Sequence, residues 1–308
     1  MSIIVLGSIN MDLVVHAPRL PKPGETLTGS SFHTTPGGKG ANQAVACARL
    51  GIRTHMIGRV GGDVFGSALR KNLADYGVDV SGVGVEEQLP SGVALIAIDE
   101  AAENNIIIVP GANGVVSQSE LSYMKSLLPE TKVLLLQLEI PLETVQEAAQ
   151  SAHSLGVTVI LDPAPARPLP LNLYPCVDIL TPNTSEAAIL AGFPVETIAE
   201  AEKAACVLLE RGTRTVVIKM GAMGAYAQDQ AGGCFYPAIP VEALDTVAAG
   251  DAFNGALGAA LSNELPFEEA MHWGLAAGAI AVTRTGAQSA MPDRNEILDL
   301  LKTRNLSF

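Results

Sequence analysis

From residue 132 onward, apolar runs alternate with amphipathic stretches. "KVLLLQLE" is continuous and apolar, "LETVQEAAQSAHSLG" follows with helical periodicity, and "VTVILD" is apolar again. "VDILTP", the helical "TSEAAILAG" and "AEKAACVLLERG", and then "TVVIKMG" carry the alternation on. Unbroken apolar strands between helices that often end in glycine predict a parallel sheet covered on both faces. "IIVLG" near the N-terminus and helices in "ANQAVACARLG" and "FGSALRKNLADYG" fit the same plan. Other stretches break it. "MDLVVHA", "ETLTGSSFHTT", "GVALIAID" and "NNIIIVP" look like antiparallel strands and lack crossover helices, which predicts a small β-lid. The polar "EAAE" joins the last two. The expectation is a single α/β unit over residues 1–308, with a lid from segments near 11–36 and 91–110 and a cleft beneath it.

Composition narrows the partners. The 308 residues are 48% hydrophobic and 17% charged, enough for a large core, and the net charge is −13. That balance, without a basic stripe, argues against a nucleic-acid partner. A small anion could still be held by local backbone amides. The start "MSIIVLGSINMD" has no basic region ahead of a short apolar run, so it does not read as a signal peptide. No stretch reaches the roughly 20 apolar residues a spanning helix needs, so no membrane partner is expected. Cys47, Cys176, Cys206 and Cys234 are far apart with no C-x-x-C pair. The expectation is a reduced, cytoplasmic protein without structural disulfides or zinc.

Common catalytic signatures are missing. Gly38-Lys39-Gly40 has Gln43 where a dinucleotide fingerprint wants Gly or Ala, and no P-loop, H-E-x-x-H or G-x-S-x-G occurs. What remains is a set of individually weak features. Asn10 and Asp12 lie two apart on one strand face; they could grip adjacent hydroxyls or simply face solvent. "GGKGAN", Gly37 to Asn42, is a glycine-rich loop entering a helix, where backbone N–H groups can approach a ligand. Glu139 ends a buried strand, where open parallel sheets bind ligands, though a loop carboxylate there is equally ordinary. Asn183 and Glu186 in "TPNTSEA" read first as a capping box. The turn "KMGAMG", Lys219 to Gly224, could flank a nucleotide or be a plain β-turn. In "DTVAAGDAFNGAL", Ala248, Ala249 and Gly250 leave the backbone nearly bare ahead of Asp251, which is at least a good helix start.

Together these motifs resemble the ribokinase-like carbohydrate kinases. "GSINMD", "GGKGANQA", "LQLE", "DPAPAR", "TPNTSEA", "KMGAMG", "DTVAAGDAFNGAL" and "AVTRTGAQ" stand in that family's order and spacing, nearly end to end. The resemblance implies a three-layer α/β/α sandwich with a β-lid, and ATP-dependent phosphorylation of the primary hydroxyl of D-ribose. It makes Ala248, Ala249 and Gly250 an anion hole for the transferred phosphoryl and Asp251 the general base. It makes Asn10, Asp12, Gly38, Lys39, Gly40, Asn42 and Glu139, with Asp251, the sugar-binding set. Asn183, Lys219, Met220, Gly221, Ala222, Met223, Gly224, Gly250 and Leu275 become nucleotide contacts, with Glu186 arranging Mg²⁺ through water. A monovalent cation, usually K⁺, is implied at Asp245, Val247, Ala281, Arg284, Gly286 and Ala290, several through backbone carbonyls. Ala290 stands where the family commonly has serine, and Leu275 where it often has a polar residue. Pairing of lids into a homodimer is also implied. A fructokinase, an adenosine kinase or a non-catalytic sugar binder on the same fold are the competing readings.

Overall fold

The computed structural model describes residues 2–101 and 104–306. The chain opens with β1 (Ser2–Leu6), then forms β2 (Asn10–His16) and β3 (Ser31–Gly37). It continues through α1 (Lys39–Arg49), β4 (Arg53–Gly61), α2 (Val64–Asp75) and β5 (Asp79–Glu86), and returns for β6 (Gly92–Ile98) and β7 (Asn104–Val109). Next come α3 (Gln118–Leu127), β8 (Thr131–Leu136), α4 (Leu142–Ser154), β9 (Thr158–Leu161), β10 (Ile179–Leu180), α5 (Thr184–Ala191) and α6 (Ile198–Glu210). The last part holds β11 (Thr215–Lys219), β12 (Gly224–Gln228), β13 (Gly233–Pro237), α7 (Ala249–Ser262), α8 (Phe267–Ala281) and α9 (Arg294–Thr303).

Nine strands form the main sheet in the order β13-β12-β11-β10-β9-β8-β1-β4-β5. From β11 to β5 every neighbour is parallel; β12 and β13 add an antiparallel edge. Both faces are covered, which is why the strands read as unbroken apolar runs. Ile3 and Val5 of β1 enter a core shared with α1, α7 and α8, while Ile4 and Leu6 enter the opposite core with α4 and α6. All four are fully buried, each stabilising the fold by about 1.5–3 kcal/mol. The edge hairpin β12–β13 escapes the sequence pattern, because "GAYAQ" alternates mostly small residues and carries little period-two signal.

The lid is a separate four-stranded sheet, β3-β2-β6-β7. It departs from the antiparallel expectation at one seam. β2–β3 and β6–β7 are antiparallel, but β2 and β6 run parallel. The connection from β3 to β6 passes through α1, β4, α2 and β5 of the body, and a crossover of that length permits parallel pairing. Strand β3 begins only at Ser31, so Glu25 to Ser30 is not part of it. Half of the expected "EAAE" link, residues 102 and 103, lies outside the described residues.

Candidate active site

Parallel strands bring their carboxyl ends to one edge of the sheet. Glu139 follows β8, Asp162 follows β9, Asn183 follows β10, and Lys219 ends β11. Opposite them, α7 starts at an alanine in an unusual conformation: Ala248 has φ +58°. A left-handed non-glycine costs about 1–3 kcal/mol and persists where the surroundings demand it. Here it turns the chain into α7, whose first intrahelical bond runs from Ala252 N to Ala248 O. The N–H groups of Gly250 and Asp251 precede that bond and form the positive end of a 14-residue helix. A Cβ on Gly250 would lie 3.4 Å from the Lys219 Nζ, so the ammonium reaches the same helix start.

Asp251 is buried, at 5% exposure. Its Oδ2 accepts from Asn42 Nδ2 at 2.9 Å and its Oδ1 from Gln43 Nε2 at 3.1 Å. Gln43 Nε2 also donates to Asp162 Oδ2 at 3.2 Å, and Asp162 Oδ1 holds Lys219 Nζ at 2.9 Å. Burial pushes the Asp251 carboxyl up to about 6; Lys39 and the two amide donors oppose that rise, while Asp162 adds to it. Burial alone would lower Lys39, but the carboxylates of Asp251, Asp162, Glu139 and Glu186 outweigh it and keep the ammonium charged.

On the lid side, register fixes Asn10 and Asp12. Asn10 pairs with Gly37 and Gly92 on its two neighbours. A Cβ on Gly37 would sit 2.2 Å from Asp12 Oδ2, and one on Gly92 would sit 2.3 Å from Asn10 Oδ1. Both side chains therefore lie against bare backbone. Asn10 Oδ1 accepts from Asn113 Nδ2 at 2.7 Å, and Asn113 also clamps both backbone polar groups of Ile9. Glu139 Oε2 accepts from the Ser8 hydroxyl and from Lys39 N. Gly38, at φ +91°, makes the turn into α1, and Gly40 packs on the Gly7 backbone, where a Cβ would come within 2.7 Å. Asp12 makes no side-chain hydrogen bond among the described residues. Burial, then Glu139 and Asp251, raise its carboxyl to about 7.

A cavity of about 630 Å³ opens beside Lys219 and the start of α7. Of the expected nucleotide contacts, Asn183, Lys219, Gly221, Ala222, Gly224, Gly250 and Leu275 line it, as do Asp162, Glu186 and Lys39. Met220 and Met223 do not: Met220 is buried in the α4–α6 core, and Met223 is 44% exposed. The remaining wall is mostly apolar, supplied by residues such as Ile239, Phe253 and Ala279. Asn183 and Glu186 form the reciprocal capping box, with Asn183 N donating to Glu186 Oε2 at 2.7 Å. Burial and Asp162 raise the Glu186 carboxyl, while Lys219 opposes the rise.

The implied cation residues come together in part. Asp245 Oδ1 accepts from Val247 N at 2.9 Å and Oδ2 from Gly286 N at 3.0 Å, lacing the segment before α7 to the one after α8. Leu244 N and Asp245 N both donate to Val282 O, next to Ala281. The Arg284 side chain is engaged by Glu296, so only its backbone is left for an ion. Ala290 is buried and has no side-chain oxygen.

Several site residues were not legible as such. Gln43 stands out in the sequence as a misfit in a dinucleotide fingerprint and inside "GGKGANQA", and Asp162 as the end of "VTVILD" and the start of "DPAPAR", neither with a role of its own. Asp162 shared the signal that flagged Glu139, a carboxylate just past a buried strand. Ser8, Asn113 and Gln137 act through contacts 94–131 residues apart in sequence, which no local pattern shows.

The chain matches known proteins over nearly its whole length. The model for the pfkB family of carbohydrate kinases matches residues 1–294. The chain belongs to that family. A ribokinase from Haemophilus influenzae is 42% identical over 301 residues, covering 98% of each chain. A deoxyribokinase from Salmonella typhi is 36% identical, over 98% of this chain and 99% of its own. The structure of an Arabidopsis thaliana ribokinase complexed with ribose and ATP superposes with TM-score 0.91 at 34% identity, over 98% of each chain. The fold and its lid are therefore those of this kinase family.

Proposed function

We propose that this kinase transfers the γ-phosphoryl of ATP to the primary hydroxyl of D-ribose. One observation carries the reading. A buried carboxylate, Asp251, is held on both oxygens between a helix start with a lysine ammonium on one side and the polar lid edge of Asn10 and Asp12 on the other. Names borne by full-length relatives, ribokinase among them, agree with it. Asp251 accepts the hydroxyl proton as the sugar oxygen attacks phosphorus. The bond from phosphorus to the ADP oxygen breaks as the new phosphoester forms. The α7 start and Lys219 stabilise charge on the moving phosphoryl, and Asp12 and Asn10 hold sugar hydroxyls.

Among the described residues no group of three or more His, Cys, Asp or Glu side chains could hold a metal. Glu186 lines the nucleotide cavity, however, so it fits a Mg²⁺ held chiefly by nucleotide oxygens and water, as that ion prefers. Mg²⁺ would there neutralise phosphate charge. Asp245 brings one formal charge to the seam between the segment before α7 and the one after α8; with the backbone carbonyls that the family resemblance implies it would make an oxygen-only set that fits a monovalent ion such as K⁺, whose charge would steady the helix start. An ATP consumer of this kind belongs in the cytoplasm. Apolar side chains stay exposed on the lid, with Phe32 and Ile107 each at 63%. A second copy's lid would cover them, so we infer a homodimer; light scattering showing a monomer at micromolar concentration contradicts it.

The test is ADP release from MgATP with D-ribose, 2-deoxyribose, fructose, adenosine or no acceptor, each with and without K⁺. Strong release with ribose supports the reading. Release only with another acceptor keeps the mechanism and replaces the substrate. No release with any acceptor overturns it.

A further inference from the structure

Two chains of side-chain amides converge on Asp251, and both point the same way. Asn72 Nδ2 donates to Gln288 Oε1, Gln288 Nε2 to Asn42 Oδ1, and Asn42 Nδ2 to Asp251 Oδ2. On the other side Gln137 Nε2 donates to Gln43 Oε1 at 2.7 Å, and Gln43 passes its own Nε2 onward. The two hydrogens of that nitrogen serve two carboxylates, Asp251 at 3.1 Å and Asp162 at 3.2 Å. Only an NH₂ group can face two carboxylates, so charge dictates which way the Gln43 amide lies. Its carbonyl must then accept from Gln137. Gln43 is 1% exposed and Gln137 is fully buried.

A purely structural core would fill this space with apolar side chains, since a buried amide is costly unless fully bonded. Gln137 Oε1 has no partner among the described residues, so the arrangement retains an expense that packing alone would remove. What it secures is geometric. Asp162, the second acceptor of Gln43, holds Lys219, whose ammonium sits at the start of α7. The line Lys219–Asp162–Gln43–Asp251 therefore joins the phosphoryl hole to the proton acceptor without passing through the sugar.

We propose that Gln43 is a positioning residue for the transfer: its one amide holds Asp251 in the attitude needed for proton removal and ties it to the Asp162–Lys219 pair at the phosphoryl hole. The proposal rests on the reading of Asp251 as general base.

The experiment is steady-state kinetics and melting of the full chain with MgATP and D-ribose, or whichever acceptor the wild type uses, for Gln43→Met, Gln137→Met, Asp162→Asn and the double variant Gln43→Met/Asp162→Asn. For Gln43→Met, kcat falls about 10–100-fold, the scale of a slightly misplaced catalytic group, while both KM values stay within about threefold. Its acid limb also moves to higher pH, because Asp251 loses a donor to its charged form while Lys39, Asp12 and Asp162 still face it from α1, β2 and the end of β9. Gln137→Met, one step back, gives a smaller fall in kcat in the same direction. The double variant loses less than the product of the two singles, because the part of the Asp162 effect that reaches Asp251 runs through the Gln43 amide while its hold on Lys219 does not. A Gln43→Met kcat within about threefold of wild type, a loss confined to KM, or multiplicative losses in the double variant overturns the proposal. If Gln43→Met does not fold, Gln137→Met decides: unchanged kcat with an unmoved acid limb overturns it. Asp251→Asn, run alongside, separates the two readings, since near-normal turnover there removes the base itself.

Discussion

Two buried aspartates of the candidate site are held in opposite ways. Asp251 sits at the start of α7 with an amide on each carboxylate oxygen, and each amide is itself held by another. Asp12 sits on an inner lid strand, β2, against the bare α-carbon of Gly37 and has no side-chain hydrogen bond among the described residues. Both carboxyls are raised by burial, Asp251 to about 6 and Asp12 to about 7. The braced acid keeps its orientation before any ligand arrives, as the proton acceptor of the proposed reaction must. In the proposed reading the unbraced acid takes its donor from a sugar hydroxyl. On that reading, bracing goes with the group that does chemistry, and an open valence with the group that binds.

Asp251→Asn should lower kcat by about 10²–10⁴-fold, the usual value of a positioned general base, with the ribose KM within about threefold in steady-state assays. Asp12→Asn should do the reverse, raising the ribose KM about 10–100-fold for a lost charge-assisted bond and changing kcat less. Gly37→Ala should weaken ribose about tenfold, because its Cβ would fall 2.2 Å from Asp12 Oδ2 and displace the carboxylate. In a pH series, kcat/KM should fall as pH drops from about 7 through about 6, because Asp12 and then the proposed base Asp251 take up protons there; a flat profile down to pH 5 contradicts that.

The smallest effect concerns stability. Asp12 is raised from 3.8 to about 7 in the folded chain, so between those values the folded state binds more protons than the unfolded one. Stability of the ligand-free protein therefore falls as pH rises through that window. Asp12→Asn removes the charge without removing a hydrogen bond, and should raise ligand-free stability at pH 8 by about 1–3 kcal/mol. Denaturant titration at pH 5 and pH 8 checks both signs. An Asp12→Asn protein that is less stable than wild type at pH 8 would show that this carboxylate has a structural partner after all.

How much of this was legible in the chain follows from range. The parallel sheet shows because burial on both faces turns β1 and β8 into unbroken apolar runs. The capping box at Asn183 and Glu186 shows because both partners lie within one helical turn, and the bare backbone before Asp251 shows because it is contiguous. Resemblance to a family then assigned roles that spacing alone left open. The parallel seam between β2 and β6 was hidden, since strand pattern is blind to direction across a crossover. Asn42 was expected to touch sugar, and the structure places its Nδ2 on Asp251. Gln43 and Asp162 stayed unassigned because their meaning lies in partners 57–208 residues away.

The most direct test is calorimetric titration of D-ribose into Asp251→Asn and Asp12→Asn side by side, without nucleotide. The account predicts that Asp251→Asn binds within about threefold of wild type while Asp12→Asn is weaker by about tenfold or more. The opposite order, with Asp12→Asn binding normally and Asp251→Asn failing to bind, would contradict the division between a braced base and an open binding acid.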